Sequence, residues 1–191
     1  MVYADFVALS QQCAPSVHHA TMARVVRVES SYNPYAIGVV RGQLVRQPNN
    51  KAEAIATAKM LEKAGYNFSM GVGQVNLHNL EKYKLTYDTA FNACENLRAA
   101  SLILEDCFVR AKRKIVDDQQ ALNAAFSCYY SGNFTTGFTQ DFAGQPSYVQ
   151  KILNAGEGNS IAPIAVTRQP KKIKKQAPND MNETSTALVF N

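Results

Sequence analysis

Residues 22–38 read Met-Ala-Arg-Val-Val-Arg-Val-Glu-Ser-Ser-Tyr-Asn-Pro-Tyr-Ala-Ile-Gly, and the rest of the chain is organised around this stretch. Its first half is apolar except for two arginines, which predicts a mostly buried helix. Pro34 disfavours helical backbone in the residue before it, so the helix should end near Ser31. One carboxylate, Glu29, is therefore left at the end of an apolar helix.

The position of Glu29 favours a raised pKa. Burial disfavours the charged form of a carboxyl, and the negative end of the helix dipole acts in the same direction. A glutamate with a raised pKa can carry a proton near neutral pH, as a general acid must. From spacing alone, a solvated glutamate at a helix end is the commoner alternative.

Two later segments favour the catalytic interpretation. Residues 70–77 read Met-Gly-Val-Gly-Gln-Val-Asn-Leu, whose glycines permit a close approach of the backbone to another element. Residues 125–133 read Ala-Phe-Ser-Cys-Tyr-Tyr-Ser-Gly-Asn. The ordered set of Glu-Ser-x-x-Asn-Pro, Gly-x-x-Gln-x-Asn and Tyr-x-x-Gly resembles the lytic transglycosylase (soluble-lytic-transglycosylase, goose-lysozyme-like) family.

The resemblance covers about residues 5–155 and is strongest to one branch, the specialised transglycosylases of type IV secretion and conjugation systems. Four further matches point to that branch: Cys-Ala-Pro at 13–15, Tyr-Ala-Ile-Gly at 35–38, Arg-Gln-Pro at 46–48 and Phe-Asn-Ala-Cys-Glu-Asn-Leu at 91–97. The resemblance implies a mainly α, lysozyme-like α+β fold, compact around a central buried helix with a small β-hairpin region.

The family also implies the roles of seven residues. Glu29 would be the catalytic acid and base, and the hydroxyl of Tyr129 would donate a hydrogen bond to it. Substrate contacts would come from the cleft-lining set Gly71, Gln74, Asn76, Tyr129, Tyr130 and Tyr148. Two departures matter: Tyr130 stands where the family usually has asparagine, and Gly38 replaces a serine found in other branches.

A single strong carboxylate motif fits cleavage without water as the nucleophile, because ordinary glycosidases need two carboxylates. The implied reaction cleaves the β-1,4 bond between N-acetylmuramic acid and N-acetylglucosamine in peptidoglycan and gives 1,6-anhydro-muropeptides. A goose-type peptidoglycan hydrolase is the first alternative and would need a second carboxylate. A non-catalytic, wall-binding assembly factor is the second alternative.

Composition limits the partners. The 191 residues are 46% hydrophobic, enough for a sizeable core, and carry a net charge of +5. No apolar run approaches the roughly 18 residues that cross a bilayer, so we expect no membrane-spanning segment. The basic run at residues 112–114 lies near a helix C-terminus, where the dipole favours cations, so nucleic acid is not needed to explain it.

The resemblance implies a periplasmic protein that acts on peptidoglycan glycan strands, and we expect its signal peptide to be absent from this sequence. It should locally open the wall for the secretion apparatus. No cofactor is implied. Secretion-system components could bind the basic tail, although a solvated tail is the default interpretation.

The chain has four cysteines, none in a Cys-x-x-Cys pair, so we expect no metal site. Export would favour one disulfide. Cys94 and Cys107 would lie roughly 19 Å apart along one helix at 1.5 Å per residue, too far to be bridged. We expect Cys13 to pair with Cys94 or Cys107, and we expect Cys128, which lies inside the motif at 125–133, to be a small core residue.

Apolar periodicity predicts five further helices, over residues 4–13, 51–64, 94–111, 119–130 and 147–154. The stretch 94–111 is apolar nearly all round and should be the central helix. Ser16 or Thr21 should cap the helix that carries Glu29. Alternation around Gly42 predicts a hairpin over 39–48. We expect one domain over residues 1–158 and a flexible, basic, Pro-containing tail over 159–191.

Overall fold

The computed structural model describes residues 3–156 and, for side-chain burial, residues 5–156. Within this range the helices are α1 (Tyr3–Cys13), α2 (His19–Ser30), α3 (Lys51–Lys63), α4 (Tyr87–Ala90), α5 (Ala93–Lys112), α6 (Asp118–Ser131) and α7 (Tyr148–Asn154). The strands are β1 (Ile37–Val39), β2 (Phe68–Met70) and β3 (Val75–Asn76). The predicted mainly α architecture is confirmed. The predicted tail over 159–191 lies outside the described residues.

Helix α5, with 20 residues, is the centre of the domain. Asn92 caps it, because its side-chain oxygen accepts from the backbone N–H groups of Cys94 and Glu95. The face toward α1, α4 and α6 is made of buried side chains, Leu97, Ala100, Leu104, Cys107, Phe108 and Ala111. Burial of each large one contributes roughly 2 kcal/mol. Because Leu102 and Val109 are exposed, α5 is amphipathic rather than apolar all round.

Helix α2 ends close to the predicted position. Ser31 follows it in the left-handed conformation, with φ 51°, and its N–H still makes a helical hydrogen bond. The start of α2 differs from the prediction, since neither Ser16 nor Thr21 is the cap. His18 takes that place, with its ring nitrogen Nδ1 accepting from the N–H of Ala20 at 3.2 Å.

The predicted hairpin over residues 39–48 is wrong. Strand β1 pairs antiparallel with β2, which pairs antiparallel with β3, and Ile37 lies opposite Met70. The physical reason is Gln47, whose side-chain amide accepts from the Ile37 N–H at 2.8 Å and donates to the Ile37 carbonyl at 3.0 Å. This amide occupies the outer backbone edge of β1 that a hairpin partner would need.

Two disulfides hold the helices to α5. Cys13 at the end of α1 is bonded to Cys94, which confirms one of the two predicted pairings. The second bond joins Cys107 of α5 to Cys128 of α6, so the expectation of one disulfide is wrong, although Cys128 is buried in the core as predicted. Packing of α6 along α5 brings the Cα atoms of these two cysteines to 5.8 Å, within the range that a disulfide bridges.

The two disulfides close loops of very different length, 81 and 21 residues. The loss of chain entropy in the unfolded state predicts stabilisation of about 4.5 kcal/mol for the longer loop and about 3.3 kcal/mol for the shorter. We therefore expect Cys13→Ala/Cys94→Ala to lower the free energy of unfolding in urea more than Cys107→Ala/Cys128→Ala does. The reverse order would contradict the prediction.

Candidate active site

A cleft of about 1070 Å³ lies between the sheet side of the domain and helices α5 and α6. Five of the residues singled out in the sequence line it: Glu29, Gln74, Asn76, Tyr129 and Tyr130. The other two, Gly71 and Tyr148, are buried behind its walls. The structure thus brings residues from α2, the β2–β3 turn, β3 and α6 to one surface.

Glu29 lies on the last turn of α2, half-buried at the cleft wall. Burial raises the pKa of its carboxyl to about 7, even though a hydrogen bond from the Tyr148 hydroxyl to Oε1 acts in the opposite direction by stabilising the charged form. Both protonation states of Glu29 are therefore well populated near neutral pH. Such a group can donate a proton and later accept one.

The predicted hydrogen bond from Tyr129 to Glu29 is wrong in its donor. The Tyr129 hydroxyl donates to the backbone carbonyl of Gly73, while Tyr148 of α7 donates to Glu29. Because Gly73 has no side chain, the Tyr129 hydroxyl can approach its backbone closely. A Cβ on Gly73 would lie 3.3 Å from the Tyr129 hydroxyl oxygen. Tyr129 therefore holds the turn beside Glu29, and Tyr148 contacts the carboxyl itself.

Tyr148 was expected in the cleft wall, yet it is only 4% exposed. Its ring stacks beneath that of Tyr130, with centroids 4.5 Å apart and planes 15° apart. Tyr130 is 43% exposed on the cleft surface, and its hydroxyl donates to Asp141 at 2.8 Å. The two rings form a layer in which the outer one faces the cleft and the inner one reaches Glu29.

Gly71 has a packing role. Its φ of +80° favours glycine, and a Cβ there would lie 2.2 Å from the Asn96 amide nitrogen and 2.4 Å from the Ala90 carbonyl oxygen. Its N–H donates to the carbonyl of Ala36 at 2.9 Å. The structure therefore places Gly71 against α4 and α5 and not at the cleft.

Gln74 is held in an uncommon conformation. Its φ is 50°, in the left-handed region that non-glycine residues rarely adopt. Its amide nitrogen donates to the carbonyls of Ala36 and Gly71, each at 2.9 Å. Its amide oxygen lies 2.7 Å from where a Cβ of Gly38 would be. The missing side chain of Gly38 leaves room for this oxygen at the cleft.

Asn76 is also a cleft residue, but its amide is engaged within the protein. The nitrogen donates to Asn67 at 2.9 Å and to Ser69 at 3.2 Å, and the oxygen accepts from the His78 N–H at 3.1 Å. Its first role is therefore to cap the 3₁₀ turn over Leu77–Asn79 and to fix the edge of the sheet.

Asn96 is the residue that sequence reasoning missed. Its side chain is fully buried in α5, its amide nitrogen donates to the carbonyls of Met70 at 2.9 Å and Ala90 at 2.8 Å, and its oxygen accepts from the Gly73 N–H at 2.7 Å. The signal in the sequence was a single asparagine between apolar positions of α5. A buried amide needs hydrogen-bond partners, so an asparagine there indicates that it bonds buried backbone groups.

The cleft also contains a second carboxylate, on Asp106. It pairs with Arg110 at 3.2 Å and lies 4.0 Å from the ammonium of Lys82. These cations offset its charge and fix its position on α5.

Among the described residues, no group of three or more His, Cys, Asp or Glu is arranged to hold a metal ion, and none of the helices is long and apolar enough to cross a membrane.

We expect Asn96→Asp to lower the free energy of unfolding by roughly 3 kcal/mol, because the new carboxylate oxygen would face two backbone carbonyls in a buried site. Asn92→Asp is the matched control: it lies one turn earlier on α5, and aspartate caps a helix as well as asparagine does. Urea unfolding of both variants measures the difference. Equal losses would contradict the assigned role of Asn96.

Known proteins resemble this chain over most of its length. The Transglycosylase SLT domain family matches residues 6–148. The chain is 51% identical over 195 residues to the type IV secretion system protein virB1 of Brucella suis biovar 1, covering 96% of this chain and 81% of that protein. It is 31% identical over 166 residues to the protein virB1 of Rhizobium radiobacter, covering 85% of this chain and 64% of that protein.

No solved structure gives a significant match to the chain. The family match spans the residues that carry the cleft, from α1 to the first residue of α7. Both the predicted family and its type IV secretion branch are confirmed by these relatives. The chain therefore belongs to the SLT-domain transglycosylases and is a peptidoglycan lytic transglycosylase.

Proposed function

We propose that Glu29 alone performs the acid and base steps of this reaction and that the products are 1,6-anhydro-muropeptides. The observation that supports this most directly is the Glu29 carboxyl itself, which lines the cleft and has its pKa raised by burial to about 7. A group with that pKa is protonated often enough to act as an acid and ionised often enough to act as a base at neutral pH.

In the first step, protonated Glu29 gives its proton to the oxygen that links N-acetylmuramic acid to N-acetylglucosamine. The bond between C1 and this oxygen breaks, and the N-acetylglucosamine side leaves with a free hydroxyl. The N-acetyl group of the substrate stabilises the positive charge that develops at C1. Glu29 is then a carboxylate, stabilised by the hydrogen bond from Tyr148.

In the second step, the Glu29 carboxylate takes the proton from the C6 hydroxyl of the same N-acetylmuramic acid. The C6 oxygen forms a bond to C1 and closes the 1,6-anhydro ring, and Glu29 is protonated again. The nucleophile belongs to the substrate and is held close to C1 at high effective concentration. No second carboxylate is needed to activate water.

Substrate contacts follow from the groups that remain available at the cleft. The amide oxygen of Gln74, positioned beside Gly38, can accept a hydrogen bond from a sugar hydroxyl or acetamido N–H. The exposed face of Tyr130 can pack against the apolar side of a sugar ring. We propose a smaller contribution from Asn76, since its amide already bonds Asn67, Ser69 and His78.

The goose-type hydrolase remains the second candidate because of one observation, the Asp106 carboxylate in the cleft. A hydrolase would use it to activate water and would release a reducing sugar end. The Asp106 carboxylate is, however, already paired with Arg110 at 3.2 Å and lies 4.0 Å from the Lys82 ammonium, so it is not free to hold a water. The wall-binding assembly factor requires neither carboxylate.

The cellular role is proposed from the Brucella relative, which is named a type IV secretion system protein. We propose that the chain acts in the periplasm, where it opens the peptidoglycan locally so that a secretion or conjugation apparatus can pass. The mildly basic composition is compatible with an anionic wall polymer. Binding of secretion-system components through the tail over 159–191 is part of this proposal.

Digestion of purified peptidoglycan by the native protein and by Glu29→Gln tests the chemistry. We expect anhydro-muropeptides in the mass spectrum of the native digest and a loss of roughly 10³-fold in their rate of formation for Glu29→Gln, as for removal of a general acid. Glu81→Gln, the same change at an exposed glutamate, is the control and should keep native activity.

Reducing-end products that disappear in both Glu29→Gln and Asp106→Asn would instead identify a hydrolase. Absence of any products, with binding to purified cell walls retained, would support the assembly factor. Anhydro products formed at the native rate by Glu29→Gln would overturn the assignment of Glu29.

The pH dependence of cleavage gives an independent prediction. Since Glu29 must start protonated, the rate should fall as the pH rises through about 7. The Tyr148 hydrogen bond stabilises the charged form and so lowers the Glu29 pKa. We expect Tyr148→Phe to move the alkaline midpoint upward by roughly one pH unit. Initial rates across the neutral range measure it, with the exposed Tyr66→Phe as the control.

A midpoint that stays in place or moves downward in Tyr148→Phe would contradict this account of the Glu29 pKa. A lower rate without any movement would show that Tyr148 acts only on packing.

A further inference from the structure

Helix α7 carries Tyr148 but is only seven residues long. A helix of this length is not stable by itself in water, so its position depends on its contacts with the rest of the fold. Val149 and Ile152 pack into the core, and hydrogen bonds hold its two ends. At its N-terminal end, Ser147 and Gln150 form a capping box, and the Tyr148 hydroxyl bonds Glu29. The question is therefore what holds its C-terminal end.

Two arginines of α2 hold that end. The guanidinium Nη1 of Arg24 donates to the carbonyl of Leu153 at 2.6 Å, and Nη1 of Arg27 donates to the carbonyl of Ala155 at 3.3 Å. Leu153 lies in the last turn of α7 and Ala155 is its C-cap residue, and carbonyls at a helix C-terminus attract cations. The Arg24 bond is shorter and better shielded from solvent than that of Arg27.

Arg24 and Glu29 lie on the same helix, five positions apart. The contacts therefore close a ring: Glu29 to Tyr148, along α7 to Leu153, across to Arg24, and back along α2. We propose that Arg24 is a positioning residue, which holds the C-terminal end of α7 and thereby keeps the Tyr148 hydroxyl on Glu29. The inference rests on the proposed function only in taking Glu29 as the reacting acid.

Gly156, the last residue that the structure describes, packs closely against Arg24. A Cβ on Gly156 would lie 2.5 Å from Nη2 of Arg24 and 2.8 Å from its central carbon. A residue larger than glycine must therefore shift the guanidinium, which is the flexible end of the arginine side chain, or the backbone. Gly156→Ala thus disturbs the Arg24 contact without changing the chemistry of Arg24.

Arg24 acts on Glu29 by holding α7 in position, and not through the positive charge of its guanidinium. The groups that face Glu29 from α6 and α7 are Tyr129, Tyr130 and Tyr148, and the pKa of each is raised above the ordinary range, so all three are neutral near pH 7. The causes that set the Glu29 pKa are burial and the Tyr148 bond. A change at Arg24 that leaves α7 packed over Glu29, and so leaves its burial unchanged, should therefore reach Glu29 only when Tyr148 has its hydroxyl.

This dependence is tested by titrating the Glu29 carboxyl with carbon-13 NMR, its signal assigned by its absence in Glu29→Gln. We expect Arg24→Gln to move the midpoint upward, by part of the shift that Tyr148→Phe produces. In the double variant Arg24→Gln/Tyr148→Phe, the midpoint should equal that of Tyr148→Phe alone, because residues that act through one contact are not additive.

Three further variants separate positioning from general destabilisation. Arg24→Lys keeps a cation at the helix end and should restore most of the native midpoint. Gly156→Ala should shift the midpoint in the same direction as Arg24→Gln. Arg113→Gln, the same change at an exposed arginine at the end of α5, should leave it unchanged. Urea unfolding of each variant reports stability separately.

An unchanged midpoint in both Arg24→Gln and Gly156→Ala, with the proteins folded, would overturn the proposal. Equal shifts from Arg24→Gln with and without the Tyr148 hydroxyl would also overturn it, because Arg24 would then act by another route. The readout does not depend on catalysis: if Glu29→Gln retained activity, the proposed function would fail while the titration still decided the role of Arg24.

Discussion

The buried amide of Asn96 is the interaction on which the rest of the site depends. The turn between β2 and β3 enters a helical core, and backbone groups buried there need hydrogen-bond partners. Asn96 provides them for the Gly73 N–H and for the carbonyls of Met70 and Ala90. The disulfide between Cys94 and Cys13 fixes the start of α5 close by. The turn is therefore set by the central helix.

Once the turn is fixed, its own carbonyls organise the neighbouring helices. The carbonyl of Val72 accepts from the Ser30 hydroxyl at 2.7 Å, which holds the end of α2 that carries Glu29 against the turn. The carbonyl of Gly73 accepts from Tyr129, which holds α6. Gln74 follows in a left-handed conformation that directs its amide into the cleft. The motifs of α2 and α6 thus meet because each donates a hydrogen bond to the same four-residue turn, which is itself the third motif.

The sequence predicted those features that depend on neighbouring residues or on a regular spacing of apolar residues. Helix bounds follow from apolar spacing, and Glu29 stands out as one carboxyl at the end of an apolar helix. Predictions from the sequence failed where a side chain far away in the chain determines the local structure. The hairpin at 39–48 is absent because the Gln47 amide takes the edge of β1. The exchange of roles between Tyr129 and Tyr148 depends on how α7 docks against α2, which neither segment encodes alone.

The same burial that prepares Glu29 for catalysis opposes folding at high pH. Its pKa is about 7 in the folded protein and 4.5 for the free group, so the folded state holds the proton more tightly. The stability gained by binding that proton is complete below about pH 4.5 and is lost as the pH rises through about 7. The difference corresponds to about 3 kcal/mol. The Tyr148 bond reduces this cost by stabilising the carboxylate, and the Arg24 contact to α7 would preserve the bond. A more exposed Glu29 would stabilise the fold but leave too little of the acid form to cleave the glycan at neutral pH.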